Sequence, residues 1–384
     1  RLYKNMNIPF WSPAREYEKY KDEIDEAINR VLSKGELCLG FSPDIEEFER
    51  KFAEYIGTKH AIMCGAGTQA LYLAYRALGI SPGDEVITTS HTFIATIDQI
   101  VAVGAKPVLV DIGDDGLIDP VEIKKAITRK TKAVVPVHLE GKVCDMETIC
   151  DIAKKNNFYI IEDTAQAIGA ITFRDHRKYN PKDWGVTLIG AGSIGNAGCF
   201  SFYPAKVLGS IGNAGAVTTN DDYLAEQIRQ MRCNWSAGKN QDIESVRWGT
   251  NMEPDNIQTA VLNVKLKYLD ERLVKRKEIA EIYDEEFADL PLKLPLRQEG
   301  RIYQDYVLLV DDPKALSAFL REKGIGTLGV GLVPNHQYPN LNLHFNLPKT
   351  EEYLAHQIRI PLNPDLTFLE VEYIVETVRA FYEK

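Results

Sequence analysis

Between residues 44 and 57 the chain reads DIEEFERKFAEYIG, with Ile45, Phe48, Phe52 and Ile56 three or four positions apart. That spacing lines one face of an amphipathic helix, which Pro43 opens and Gly57 closes. From there the pattern changes to short, almost wholly apolar runs separated by amphipathic ones. HAIMC precedes a helix starting near Gly67, DEVITT one starting near Ile94, and KPVLVDI the helical DPVEIKKAIT. KAVVPVHL then precedes DMETICDIAKKN, and FYIIED follows. Apolar runs of this kind fit strands covered on both faces. Helices between them make successive βαβ units, so the pattern predicts a mostly parallel sheet.

The alternation persists to about residue 233, through the strand-like CFSFY and GAVTTN. The stretch DNIQTAVLNVKLKYLDERLVKRKEIAEIYDEEF then runs without Pro or Gly, which predicts one long helix linking two lobes. Beyond residue 300, YQDYVLLV, PKALSAFLREKG, a loop rich in Gly, Pro and Asn and a final helix describe a small α/β unit. The expected organisation is a large domain over 1–235, a linking helix over 236–290 and a small C-terminal domain over 291–384.

Composition narrows the function. The 384 residues are 45% apolar and 26% charged, as in ordinary globular proteins. A net charge of −10 argues against non-specific nucleic-acid binding, which needs a basic footprint. No apolar run is long enough to span a bilayer, and RLYKNMNIPFWSP lacks the apolar core of a signal peptide. The six cysteines (38, 64, 144, 150, 199 and 233) show no CxxC and no zinc spacing. The expectation is a cytoplasmic protein with reduced thiols and no metal site.

In open α/β sheets, ligands bind beyond the carboxyl ends of the strands. Four features fall at such ends. CGAGTQAL follows a strand and opens a helix, whose free N–H groups favour an anion. Phe93 lies just past EVITTS. The apolar strand YIIED ends in Glu162 and Asp163, with Gln166 one helical turn on. Lys206 sits in FSFYPAKVLGSIGNAGA, among small residues and with no acidic neighbour in sequence. Pyridoxal phosphate (PLP) accounts for all four together. It needs an anion cradle, a surface for its ring, a carboxylate for its pyridine nitrogen and a lysine for its aldehyde.

GAGTQAL, TFIAT, PVLVDI, PVHLEG, EDTAQAIGA, CFSFYPAK, GNAGAVTTND and GTNMEPDNIQTAVL together resemble the DegT-type family of PLP-dependent sugar aminotransferases. The resemblance implies the type I fold of PLP-dependent transferases, with a mostly parallel seven-stranded sheet and a small C-terminal α/β domain. It also implies that Lys206 bonds the cofactor aldehyde, that Asp163 bonds the pyridine nitrogen, that Gln166 bonds the ring hydroxyl and that Phe93 stacks on the ring. Ala66, Gly67, Thr68 and Ser201 would hold the phosphate, and Asn251 would reach the phosphate of the neighbouring subunit in a homodimer with shared active sites. The implied reaction moves an amino group from L-glutamate to a keto-sugar, most simply a nucleotide-linked keto-deoxyhexose. Its product would serve a surface polysaccharide, a lipopolysaccharide or a glycosylated natural product. A PLP-dependent sugar dehydratase would carry histidine in place of Lys206. A non-catalytic regulatory member of the fold would have lost the cofactor set.

Three departures bear on the sugar. An insertion of about a dozen residues separates Asp163 from Lys206, read as a surface loop or a substrate lid. Glu140 replaces a common aromatic residue, and Glu253 stands where an arginine is frequent. Both acids disfavour a diphosphate and point to a second substrate, a keto derivative of an eight-carbon sugar acid. Its carboxylate would need a base such as Lys142, Arg174, Arg177 or Lys178. His91, His138 and His336 lie near expected strand ends or in the C-terminal loop; His91, His336 and Glu253 are the candidate sugar contacts.

Overall fold

The computed structural model describes residues 6–37, 42–175, 186–234 and 248–383. Its strands, in chain order, are β1 (His60–Cys64), β2 (Glu85–Thr89), β3 (Lys106–Val110), β4 (Thr131–Val134), β5 (Tyr159–Asp163), β6 (Ile171–Asp175), β7 (Val186–Gly190), β8 (Ala197–Ser201), β9 (Gly215–Thr219), β10 (Tyr306–Leu309) and β11 (Gln357–Ile360). Seven of them form one sheet in the order β1-β9-β8-β5-β4-β2-β3. All its pairings are parallel except those of β9, which runs antiparallel to both β1 and β8. The strands end together, so the loops carrying Gly67, Phe93, Asp163 and the residues after Ser201 gather on one side.

Two apolar layers cover the sheet. One gathers Phe48, Phe52, Phe200 and Phe202 with Ile149 and Val134; the other gathers Leu73, Tyr75, Ile100 and Ile228. The helix Pro43–Ile56 starts where the pattern predicts, with the Ser42 hydroxyl accepting from the Ile45 N–H at 3.3 Å, and stops at Gly57 in the left-handed region. Its Phe52 ring meets Phe200 and Phe202 edge-on at 5.0 and 5.1 Å.

The long Pro- and Gly-free stretch forms two helices, Asn256–Leu266 and Leu269–Glu286, rather than one. The break falls at Lys267–Tyr268, where the N–H groups bond back three residues, to Val264 and Lys265. Tyr268 turns out to stack on Tyr20 at 4.2 Å, a tertiary contact that local pattern does not encode. The second helix connects two cores. Leu269 belongs to the main layer, whereas Ile279, Ala280, Tyr283 and Phe287 pack with β10, β11 and the helices Pro313–Glu322 and Phe368–Tyr382. Ile8 joins that C-terminal core and pairs with Ile325.

β6 and β7 form an antiparallel pair flanking the insertion. Residues 176–185, with Arg177 and Lys178, lie outside the described residues, as does Cys38. Among the described residues, no helix is long and apolar enough to cross a membrane.

Candidate active site

A cavity of about 500 Å³ opens beyond the carboxyl ends of the parallel strands. Ala66, Gly67, Thr68, Phe93, Asp163, Gln166, Ser201 and Lys206, drawn from four separate loops, all line it. Thr92, Thr96, Tyr203 and Asn213 line it as well.

The helix Gly67–Ala77 begins at its wall with no side-chain cap on its first N–H groups. Those donors, with the helix dipole behind them, suit a phosphate. The approach is close: a Cβ on Gly67 would lie 2.6 Å from the Ser201 Cβ, so a larger residue would displace β8. The Ser201 hydroxyl therefore stands beside the helix start.

Strand alternation separates the two acids at the end of β5. Glu162 is fully buried and accepts from the Gly192, Ile194 and Gly195 N–H groups at 2.6–2.8 Å and from His138 Nε2 at 3.0 Å. The Cys144 N–H donates to His138 Nδ1 at 3.1 Å, fixing the Nε2–H tautomer. Both groups are spent on holding the 190–196 loop to the sheet. Asp163 instead faces the cavity. Its Oδ2 accepts from the Thr96 hydroxyl at 2.7 Å, its Oδ1 from the Ala165 N–H at 3.2 Å, and Thr92 Oγ1 lies 2.7 Å from Thr96 Oγ1. Burial pushes the Asp163 carboxyl above its ordinary range, against the pull of these bonds and of Lys206. Thr96 was invisible in the sequence because nothing local ties a helix threonine to a strand-end acid.

Lys206 makes no hydrogen bond or ion pair from its ammonium to any other described residue. Burial pushes the ammonium below the usual lysine range; Asp305 and Asp163 oppose that, and Arg359 adds to it. The chain supplies no acid beside Lys206 in sequence, but folding brings two within range. Gln166 accepts the Glu140 N–H at 2.8 Å, which leaves its amide N–H groups free toward the cavity. Phe93, 73% exposed, stands at the mouth.

These residues fit PLP. An uncapped helix start for the phosphate, a ring surface in Phe93, a buried acid and an unpaired lysine share one cavity of suitable size.

Other expected residues lie elsewhere. Asn251 is exposed at an isolated pairing with Cys233 and does not line the cavity of its own chain. Glu253 is half-buried, its carbonyl packed near Gly65. His336 is buried, Nδ1 lying 2.9 Å from the Ser90 hydroxyl and Nε2 3.0 Å from Glu351, so it docks the C-terminal loop onto the end of β2. His91 is buried too, its Nδ1 against the Gly116 carbonyl at 2.8 Å and its ring against Tyr353 at 4.7 Å; burial pushes it down to about 4. Neither histidine, nor Glu253, is brought to the cavity wall.

Glu140 likewise lies behind the wall. It occupies the left-handed region (φ 59°) ahead of Gly141, whose own φ is 85° and where a Cβ would meet the Ile302 carbonyl. Its buried carboxylate pairs with Lys142 at 3.0 Å and accepts from the Tyr353 hydroxyl at 3.0 Å. Burial alone would raise this acid, but Lys142 and the nearby arginines hold it down at about 2. A depressed carboxyl stabilises the fold above its ordinary range, and that contribution disappears as pH falls through the folded value. Glu140→Gln should therefore cost about 3 kcal/mol at pH 7 by the size of the shift. Chemical denaturation at pH 7 and pH 3 checks this: the gap between wild type and variant should shrink at the lower pH.

Comparison with known proteins agrees with this geometry. Residues 18–379 match the model of the DegT/DnrJ/EryC1/StrS aminotransferase family. The chain is 40% identical over 380 residues to a dTDP-3-amino-3,6-dideoxy-alpha-D-galactopyranose transaminase of Aneurinibacillus thermoaerophilus, covering 97% of this chain and 99% of that one. It is 37% identical over 388 residues to a "pleiotropic regulatory protein" of Geobacillus stearothermophilus, covering 98% and 99%. The crystal structure of S. venezuelae DesV in complex with a ketimine intermediate superposes with a TM-score of 0.90 at 35% identity, covering 98% and 99%. The chain belongs to the DegT/DnrJ/EryC1/StrS family of PLP-dependent aminotransferases.

Proposed function

We propose that this chain transfers an amino group from L-glutamate to the keto carbon of a nucleotide-linked deoxyhexose, in the biosynthesis of an amino sugar for a surface polysaccharide, lipopolysaccharide or glycosylated natural product. The observation that carries the reading is the convergence of Lys206 and Asp163 on one cavity that also receives an uncapped helix start. The dTDP-sugar transaminase among its relatives supports the nucleotide-linked substrate.

Each residue then has a task. The Gly67 N–H and its neighbours at Ala66 and Thr68, with the Ser201 hydroxyl, receive the phosphate. Phe93 covers one face of the ring, and the Gln166 amide donates to the ring hydroxyl oxygen. Asp163, oriented by Thr96, keeps the pyridine nitrogen protonated. So held, PLP supplies a carbonyl carbon that exchanges its oxygen for the amino nitrogen and a ring that accepts electrons from the bond being broken. Lys206 Nζ carries the proton to and from the substrate carbon bearing the nitrogen, a role suited to an amine whose proton affinity burial has lowered.

The same reading takes the protein as a cytoplasmic homodimer in which Asn251, exposed and away from its own cavity, serves the partner's phosphate site. The buried thiols of Cys64, Cys144 and Cys199 are free, in keeping with a reducing compartment.

The second substrate, a keto-sugar acid without a diphosphate, rested on two acids. Glu140 no longer supports it, because Lys142 neutralises that carboxylate behind the wall. Glu253 still does. A panel of amino sugars added to the cofactor-loaded protein in its reversed half-reaction separates the two. Nucleotide-linked 3-amino-deoxyhexoses should exchange on the order of 100-fold faster than free amino sugars, if two phosphates add a few kcal/mol of binding. Faster exchange with an eight-carbon amino sugar acid would reverse the choice.

A further inference from the structure

Lys206 stands on a loop whose neighbouring peptide groups are held from the other lobe. Gln304, two residues ahead of β10 and 8% exposed, reaches across with its carboxamide. Its Oε1 accepts the Val207 N–H at 3.1 Å and its Nε2 donates to the Ala205 carbonyl at 3.0 Å. One side chain thus satisfies the peptide groups on both sides of Lys206. Its own backbone is fixed in turn: the buried Arg276 of the linking helix donates to the carbonyls of Tyr303, Gln304 and Leu362 at 3.1, 3.2 and 2.8 Å. Next along the chain, Asp305 pairs with Arg359 of β11 at 2.7 Å, and both act electrostatically on Lys206.

We propose that Gln304 is the positioning residue for Lys206, so that docking of the C-terminal unit sets where the lysine stands. Chemistry restricts the choice of residue. A C=O and an N–H separated by one residue need a donor and an acceptor on one short planar group, which a primary amide provides. A carboxylate there would accept from Val207 but face the Ala205 carbonyl with no proton to offer. An apolar chain of the same length would leave both buried peptide groups without partners. The loop retains bonds of its own, from the Lys206 N–H to the Tyr203 carbonyl and from the Ser210 N–H to the Phe202 carbonyl, both at 2.8 Å, so it has reason to shift rather than unfold.

The proposal rests on the role assigned to Lys206, and its test separates the two. Gln304→Met and Gln304→Glu are compared with wild type by amide hydrogen exchange of the cofactor-free protein, by steady-state kinetics and by borohydride reduction of the PLP-loaded protein. The expected result is faster exchange confined to the peptide holding Val207 in Gln304→Met, and near-native exchange there in Gln304→Glu, which keeps that acceptor. In both variants kcat should fall about 10- to 100-fold as an atom near the chemistry is displaced, with a KM for the amino donor within about threefold of wild type. Native exchange at Val207 in Gln304→Met, or a kcat within about twofold of wild type in both variants, would overturn the proposal. If either variant fails to fold, Gln304→Asn, too short to reach both peptide groups, is measured in the same way. A wild-type protein that carries no label on Lys206 would instead remove the premise, leaving the exchange result as a statement about the loop alone.

Discussion

Lys206→Ala is expected to lower amino transfer by on the order of 10⁴-fold or more, because it removes the amine that both bonds the cofactor and moves the proton. The fold should survive. The Lys206 ammonium makes no bond to another described residue, and burial penalises its charge, so the cofactor-free variant should melt no lower than wild type at neutral pH. Circular dichroism and melting of the cofactor-free proteins check the second part, and single-turnover kinetics the first. A loss of activity accompanied by a loss of structure would point to a scaffold role instead. Histidine at this position, as in the related dehydratases, should not restore transfer.

Asp163→Asn should uncouple activity from stability in opposite directions. Without an anionic partner the pyridine nitrogen loses its proton, and transfer should fall on the order of 10³-fold, the scale of removing a central electrostatic group. Stability follows the other sign. The folded Asp163 carboxyl lies above its ordinary range, so its contribution is most favourable when protonated and is lost as pH rises through the folded value. Asparagine keeps an oxygen for the Thr96 hydroxyl and carries no charge, giving up only the longer 3.2 Å bond from the Ala165 N–H, which its amide nitrogen cannot accept. The cofactor-free variant should therefore be more stable than wild type at pH 7, with the difference vanishing as the solution is acidified below about pH 4, where the wild-type acid is protonated in both states. A destabilised variant at pH 7 would contradict the burial argument.

What could be read in the sequence follows from how local each signal is. Gly67, Phe93, Asp163 and Lys206 lie at strand ends, and an apolar strand followed by a polar or glycine turn is visible in one window of residues. The shared direction of the strands is a consequence of the same alternation, apart from β9, whose reversed direction nothing in GAVTTN announces; their order in the sheet rests on pairings between distant segments. Thr96, Gln304, Asp305 and Arg359 were hidden because their partners lie far along the chain. His91 and His336 read as possible sugar contacts because strand ends and the C-terminal loop face the expected site, yet both are turned inward to brace loops. Glu140 illustrates the same limit: its charge alone suggested repulsion of a diphosphate, whereas its left-handed turn and its pairing with Lys142 place it behind the wall. The break at Lys267–Tyr268 depends on a ring stacked from the N-terminal helices, which no local propensity contains.

The central claim, that Lys206 holds the cofactor, is tested most directly by loading the protein with PLP, reducing it with borohydride and mapping the modified peptide by mass spectrometry. The account predicts a yellow protein that loses its colour on reduction and carries one cofactor on the Nζ of Lys206, with no label in Lys206→Ala. A protein that takes up no PLP, or that carries the label on another lysine while Lys206→Ala stays active, would contradict it.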